Sequence, residues 1–148
     1  MIEFSRCPFQ VVEDNFHLIE QHWQEVVTDQ RDLAPHWEFF REAEKINHLI
    51  CFSARDGDEL AGYAVFLIQP DLHSRHTLLA YNDAVFMRRD CRKNGTGKAF
   101  LEYCDQELAK TGINLILWHV KPARDFSGLL KNMGYKQFST IYGRNVSV

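Results

Sequence analysis

Residues 82–100, NDAVFMRRDCRKNGTGKAF, constrain this chain more than any other stretch. An apolar run gives way to five cations, turns through Gly95 and Gly97, and enters a helix-like segment. The pattern predicts a strand, a glycine-loosened loop and then a helix. Glycine reaches backbone conformations that a Cβ forbids and lets a ligand approach the main chain closely. The first N–H groups of a helix have no partner within it, and the helix dipole favours negative charge there. Strand, glycine turn and helix in this order point to an anion site, above all one for phosphate. The plain alternative is a solvated basic turn ahead of a helix.

Charge distribution bears on that choice. Arg88, Arg89, Arg92, Lys93 and Lys98 stand against a single Asp90, whereas the whole chain carries a formal net charge of −3. The remainder is therefore acidic. A basic spot on an acidic body suits an anionic cofactor beside a cationic substrate, and argues against a general nucleic-acid binder. Two familiar phosphate motifs do not fit. A Walker loop is broken by Arg92 and by Ala99, and a dinucleotide fingerprint lacks its third glycine at Phe100.

The 148 residues predict one domain, 1–148. Residues 1–7 alternate as an edge strand closed by Pro8. Phe16, Ile19, Trp23 and Val26 fall at helical spacing within 13–27, and a second helix is predicted over 36–45. Residues 49–54 and 60–67 read as a hairpin about the Asp56-Gly57 pair, with 69–76 as a loop. A strand over 77–87 precedes the glycine segment, and a helix over 98–110 follows it. Residues 113–120, INLILWHV, read as a strand buried on both faces. A short helix over 125–132 ends at Gly134, and alternation over 135–146 predicts the last strand or strands. A central sheet with helices on both faces buries this order of elements. Cys7, Cys51, Cys91 and Cys104 show no metal-ligand spacing, and the seven histidines form no metal motif, so no metal is expected. With no signal-like start and no apolar run long enough to span a bilayer, the cysteines read as reduced thiols of a cytoplasmic protein without a membrane partner.

Arg92, Gly95 and Gly97 match R/Q-x-x-G-x-G/A, and a late Met133-Gly134-Tyr135 follows at the distance of a further strand and helix. With the element order of the whole chain, these residues resemble the GNAT superfamily of acyl-CoA-dependent N-acyltransferases. The resemblance implies an α/β (α+β mixed) fold with a central mixed, mostly antiparallel sheet flanked by helices, its fourth and fifth strands splayed. It implies acetyl-CoA as acyl donor. Backbone groups at Val85, Phe86 and Met87 would pair with the pantetheine arm. Arg92, Lys93, Asn94, Gly95, Thr96, Gly97 and Lys98 would hold the pyrophosphate.

Direct acyl transfer needs a base to free the attacking amine and donors for the developing oxyanion. Counting back from Met87, the family's strand carboxylate maps to Asp83, with Asn82 beside it. A carboxylate in an apolar strand needs a partner or a task, although Asn82-Asp83 also reads as a hairpin turn. His119, at the end of the fifth strand, is the other candidate base, or simply a histidine bonding backbone. The family's usual acidic tyrosine falls on Leu130 and its usual asparagine near Ala123, which leaves solvent, Tyr142 or no dedicated acid. The acceptor site maps to 28–36, 69–76 and 138–144, where Asp29 and Asp32, with Glu38 and Glu42 beyond, would attract an ammonium. The expected partner is an amine-bearing small molecule, peptide or protein, with a homodimer left open. The alternative is a CoA-binding regulatory protein of the same fold with little or no transfer.

Overall fold

The computed structural model describes residues 1–146. Its centre is a five-stranded sheet in the order β1 (Ile2–Cys7), β2 (Leu49–Asp56), β3 (Glu59–Asp71), β4 (Ser74–Met87) and β5 (Leu115–Leu117). Every neighbouring pair is antiparallel except β4 and β5, which are parallel. A parallel pair needs a long crossover. Here it is the glycine loop plus α4 (Thr96–Ala109), so the stretch that dominates the sequence also makes the one parallel connection in the sheet.

Two cores lie on opposite faces of the sheet. On one, Phe100, Cys104 and Leu108 of α4 pack on Phe52, Phe66, Ala80 and Met87. Spacings of four place them on one helix stripe. On the other, α1 (Phe9–Glu13), α2 (Phe16–Val26) and α3 (Trp37–Lys45) bury Phe9, Val12, Leu18 and Ala43 against Cys51, Tyr63, Val65 and Phe86. The helix predicted over 13–27 is α2, which begins at Phe16, and α1 is a further helix ahead of it that sequence reading missed. Pro8 starts α1 in extended geometry, and the Asn15 side chain donates back to the Val11 carbonyl at 2.7 Å, breaking the run.

The other differences all concern strands. Residues 69–76 are no loop: β3 and β4 run on to a tight turn in which Asp71 accepts from the His73 N–H at 2.8 Å. Such self-bonding turns need only one Asx residue, and a two-residue turn leaves the polar residues around it free to pair as strand. The first hairpin turns on Gly57 and Asp58, Gly57 having φ 62, one residue past the expected pair. The fifth strand shrinks to Leu115–Leu117 and is half-buried rather than buried on both faces, because it pairs with β4 alone. Residues 135–146 form no strand. Their alternation supplies a face but no edge partner, and Phe138, Ile141, Tyr142 and Val146 stand exposed. Among the described residues no helix is long and apolar enough to cross a membrane.

Candidate active site

The ladder between β4 and β5 joins Leu79 to Leu115, Ala80 to Ile116 and Tyr81 to Leu117, and ends there. Above that point the strands part. The Asn82 amide bridges the gap, donating to the His119 carbonyl at 3.0 Å and accepting from the His119 N–H. Asp83 is the extra residue of a β-bulge: Ala84 pairs with Val65 and Asn82 with Phe66, and Asp83 has no partner on β3. The bulge reverses which residues face which core. Beyond it Val85 and Met87 lie on the α4 side, before it Leu78 and Ala80 do. Bulges of this kind re-aim side chains. Asn82-Asp83 is therefore mid-strand and not a turn.

Beyond the bulge, alternate backbone groups of β4 point away from β3. The Arg88 N–H donates to Ala61 at 2.7 Å, and the Phe86 carbonyl points at Gly62, where an added Cβ would lie 2.5 Å from it. Val85 and Met87 consequently turn their N–H and C=O groups into the opening. The Met87 carbonyl is already taken, accepting from Arg92 Nε at 2.6 Å.

The opening leads to the glycine turn. Asn94 and Gly95 adopt φ 56 and 75 in succession, and α4 begins at Thr96 with no side-chain cap. Thr96 is committed, its N–H and hydroxyl both donating to the Lys93 carbonyl at 3.1 and 2.8 Å. Gly97 and Lys98 supply the remaining first-turn donors, and nothing lies within 4 Å of where a Gly97 Cβ would stand.

The cations are less free than their number implies. Arg88 pairs with Glu59 at 3.0 Å and with Asp90 at 3.3 Å, and Lys98 pairs with Glu102 at 3.5 Å. Arg92 turns inward: its Nη2 reaches Glu25 at 2.6 Å and its guanidinium lies 5.3 Å over the Phe86 ring. Arg89, at 3.4 Å, and Arg124, at 3.8 Å, converge on the same carboxylate. Burial pushes Glu25 up, but the Arg92 hydrogen bond and the three guanidinium charges outweigh it and hold the carboxyl below its ordinary range. Lys93 has no ion pair among the described residues.

The sequence profile of the acetyltransferase (GNAT) family matches residues 12–135. The chain belongs to the GNAT family. No curated protein sequence matches it. Among solved structures, a predicted acetyltransferase from Clostridium acetobutylicum, with acetyl-CoA, aligns at TM-score 0.76 and 14% identity, over 99% of this chain and 97% of that one. An aminoglycoside acetyltransferase from an uncultured soil metagenomic sample aligns at TM-score 0.73 and 13% identity over the same shares. Glucosamine-6-phosphate N-acetyltransferase from Arabidopsis thaliana aligns at 0.70 and 13%, over 99% of each. At these identities the likeness is one of fold.

On this GNAT fold Asp83 faces the α2 side of the opening. No hydrogen bond to its carboxylate occurs among the described residues. It is open to water, yet the protein around it raises its pKa above the ordinary aspartate range, opposed by the Lys121 charge. Partial desolvation, with Lys121 adding to it, lowers His119, whose ring stacks on Tyr81 at 5.1 Å and 25°. Below them a mostly apolar groove of about 240 Å³ runs along α3, lined by Phe39, Ile46, Leu67 and Tyr81 with Glu42 at its rim. It lies beside the opening and away from the glycine turn. Leu130 is buried in α5 (Ser127–Asn132), and Tyr142 is 91% exposed.

Sequence reading overlooked Glu25, Arg124 and His22. The available signal was spacing: His22 and Glu25 sit three apart on α2, on one face. His22 Nδ1 lies 3.0 Å from the Tyr63 hydroxyl and its ring stacks on Phe86 at 5.2 Å. Burial pushes His22 down to about 4, with Glu25 opposing. The unfolded chain therefore binds more protons between pH 6.5 and 4. Stability from this group is complete above pH 6.5 and is lost as pH falls to 4, by about 3 kcal/mol. Urea midpoints from pH 7 to 4 should fall less in His22→Gln than in the wild type; equal slopes would refute the assignment.

Proposed function

We propose that this GNAT protein is an N-acyltransferase that moves the acetyl group of acetyl-CoA onto a primary amine. One observation carries the reading: the unpaired backbone of β4 beyond the bulge leads directly to the uncapped N-terminus of α4. The Val85 N–H and C=O and the Met87 N–H, which face the opening without strand partners, suit a peptide-like arm, and the Gly97 and Lys98 N–H groups suit its pyrophosphate. The acetyl-CoA in the similar Clostridium structure supports the same donor.

In the transfer, the amine nitrogen attacks the thioester carbonyl, the C–N bond forms as the C–S bond breaks, and the thiolate departs. The ammonium must first lose a proton. Asp83, with a raised pKa, and His119, lowered and so neutral at pH 7, are the acceptors at the opening. With Leu130 buried where a tyrosine would stand, the thiolate takes its proton from solvent. The acceptor is an amine-bearing small molecule, peptide or protein that enters over the apolar groove. Two of the similar structures are enzymes named for amine-bearing sugar substrates, aminoglycosides and glucosamine-6-phosphate.

The absence of that tyrosine favours one second reading, a CoA-binding protein of this fold that does not transfer. Thiol release from acetyl-CoA across an amine panel separates the two, since binding without turnover on any amine supports the second. For the base, Asp83→Asn or His119→Gln should lower kcat about a hundredfold while changing acetyl-CoA affinity less than threefold. The variant lacking the base should also lose the acid limb of the pH–rate profile. Wild-type rates in both across pH 6–9 would reject both residues.

A further inference from the structure

We infer that Asn82 is a positioning residue that holds β5 away from β4 and so keeps the acyl-donor cleft open. The inference rests on the acetyl-CoA reading above.

A carboxamide carries the donor and acceptor of a peptide group. At the first position past the ladder, where β4 backbone would otherwise meet β5 backbone, the Asn82 side chain takes its place on both counts. Neither His119 backbone group is left unsatisfied, and β5 is held a side chain's length away instead of at ladder distance. Asn82 is 5% exposed, one of only two buried polar or charged residues among those described, so its amide could not lose these partners cheaply. The bulge begins at the next residue, so bridge and bulge act at one level of the sheet. Beyond them Val85 and Met87 face the opening without strand partners. The bridge also fixes the His119 backbone, and with it the ring that stacks on Tyr81.

Removing the amide leaves β5 two courses. Residues 118–120 can close onto β4 and fill the cleft, or they can fray and lose its far wall. Both weaken donor binding, and neither touches the glycine turn.

Asn82→Ala and Asn82→Asp test this with two independent readouts. In the ligand-free protein, amide hydrogen exchange at His119 should change at least tenfold in Asn82→Ala, becoming faster where the segment frays and slower where it closes onto β4. By calorimetry its acetyl-CoA Kd should rise at least tenfold, and in turnover KM for the donor should rise more than kcat falls. The aspartate offers a chemical rescue. Ionised, it only accepts; protonated, it both donates and accepts as the amide does. Relative to wild type at each pH, Asn82→Asp should regain donor affinity as pH falls from 8 to 5, and Asn82→Ala should not. Unchanged exchange at His119 in Asn82→Ala, or altered exchange with unchanged Kd, would overturn the inference. A wild-type protein that binds no acetyl-CoA would overturn the donor reading instead, and the exchange readout would still decide whether Asn82 holds the strands apart.

Discussion

Gly97→Asp is expected to weaken acetyl-CoA binding at least a hundredfold and to leave the fold intact. The position is the second residue of α4, its φ is not in the left-handed region, and a Cβ there meets no atom within 4 Å. A carboxylate in the first turn of a helix is favourable to the dipole by about 0.3–1 kcal/mol, so the melting temperature should hold or rise slightly. The same carboxylate occupies the mouth of the anion site and opposes a dianionic pyrophosphate with like charge. A hundredfold loss corresponds to about 2.7 kcal/mol, modest for a like charge set among main-chain donors. Gly97→Ala adds volume without charge and should cost much less. Calorimetric titration of both variants with acetyl-CoA checks this. An unchanged Kd in Gly97→Asp would remove the glycine turn from the donor site.

Arg92→Glu should behave in the opposite way, unfolding the protein more readily before any question of binding arises. The guanidinium is 16% exposed and its partner Glu25 15%, so the pair is largely out of water. Reversal sets two carboxylates against each other, frees the Met87 carbonyl and removes the cation over Phe86. Breaking a buried pair costs about 3–5 kcal/mol, which at this size lowers the melting temperature by about 10 °C. Urea unfolding should show a reduced midpoint, and the double exchange Glu25→Arg with Arg92→Glu should restore part of it. A variant as stable as wild type would mean that Arg92 is free to reach a ligand. From sequence, Gly97 and Arg92 belong to one motif and their loss should have one effect. The structure divides them, Gly97 in the first turn of α4 with open space about it and Arg92 braced against Glu25 and the Met87 carbonyl.

That division shows where sequence reading stops. The glycine turn was legible because conformational freedom and uncapped helix donors are properties of the local chain. Asn94, Gly95 and the start of α4 follow from the residues present. The basic spot was legible only as a count. Which cations remain free depends on Glu25, 67 positions from Arg92 along the chain, and on Asp56 and Glu59 in the first hairpin. In the same way, Asp83 stood out as a carboxylate in an apolar strand, but its freedom from partners comes from a bulge that only pairing with β3 creates.

By itself the sequence determined the order of the sheet strands β1 to β5 and of the helices α2 to α5 among them, the hairpin about Gly57, the amphipathic stripe of α4 and the strand–glycine–helix motif. Each depends on neighbours within a turn or two of the chain. Tertiary structure alone decided that β5 is three residues long, that residues 135–146 add no strand to the sheet, and that β4 and β5 part at Tyr81. It also turned Asn82 from a polar residue in an apolar run into the bridge across that parting. Periodicity records which side of a strand is buried, whereas a ladder's end depends on the backbone a distant segment brings beside it.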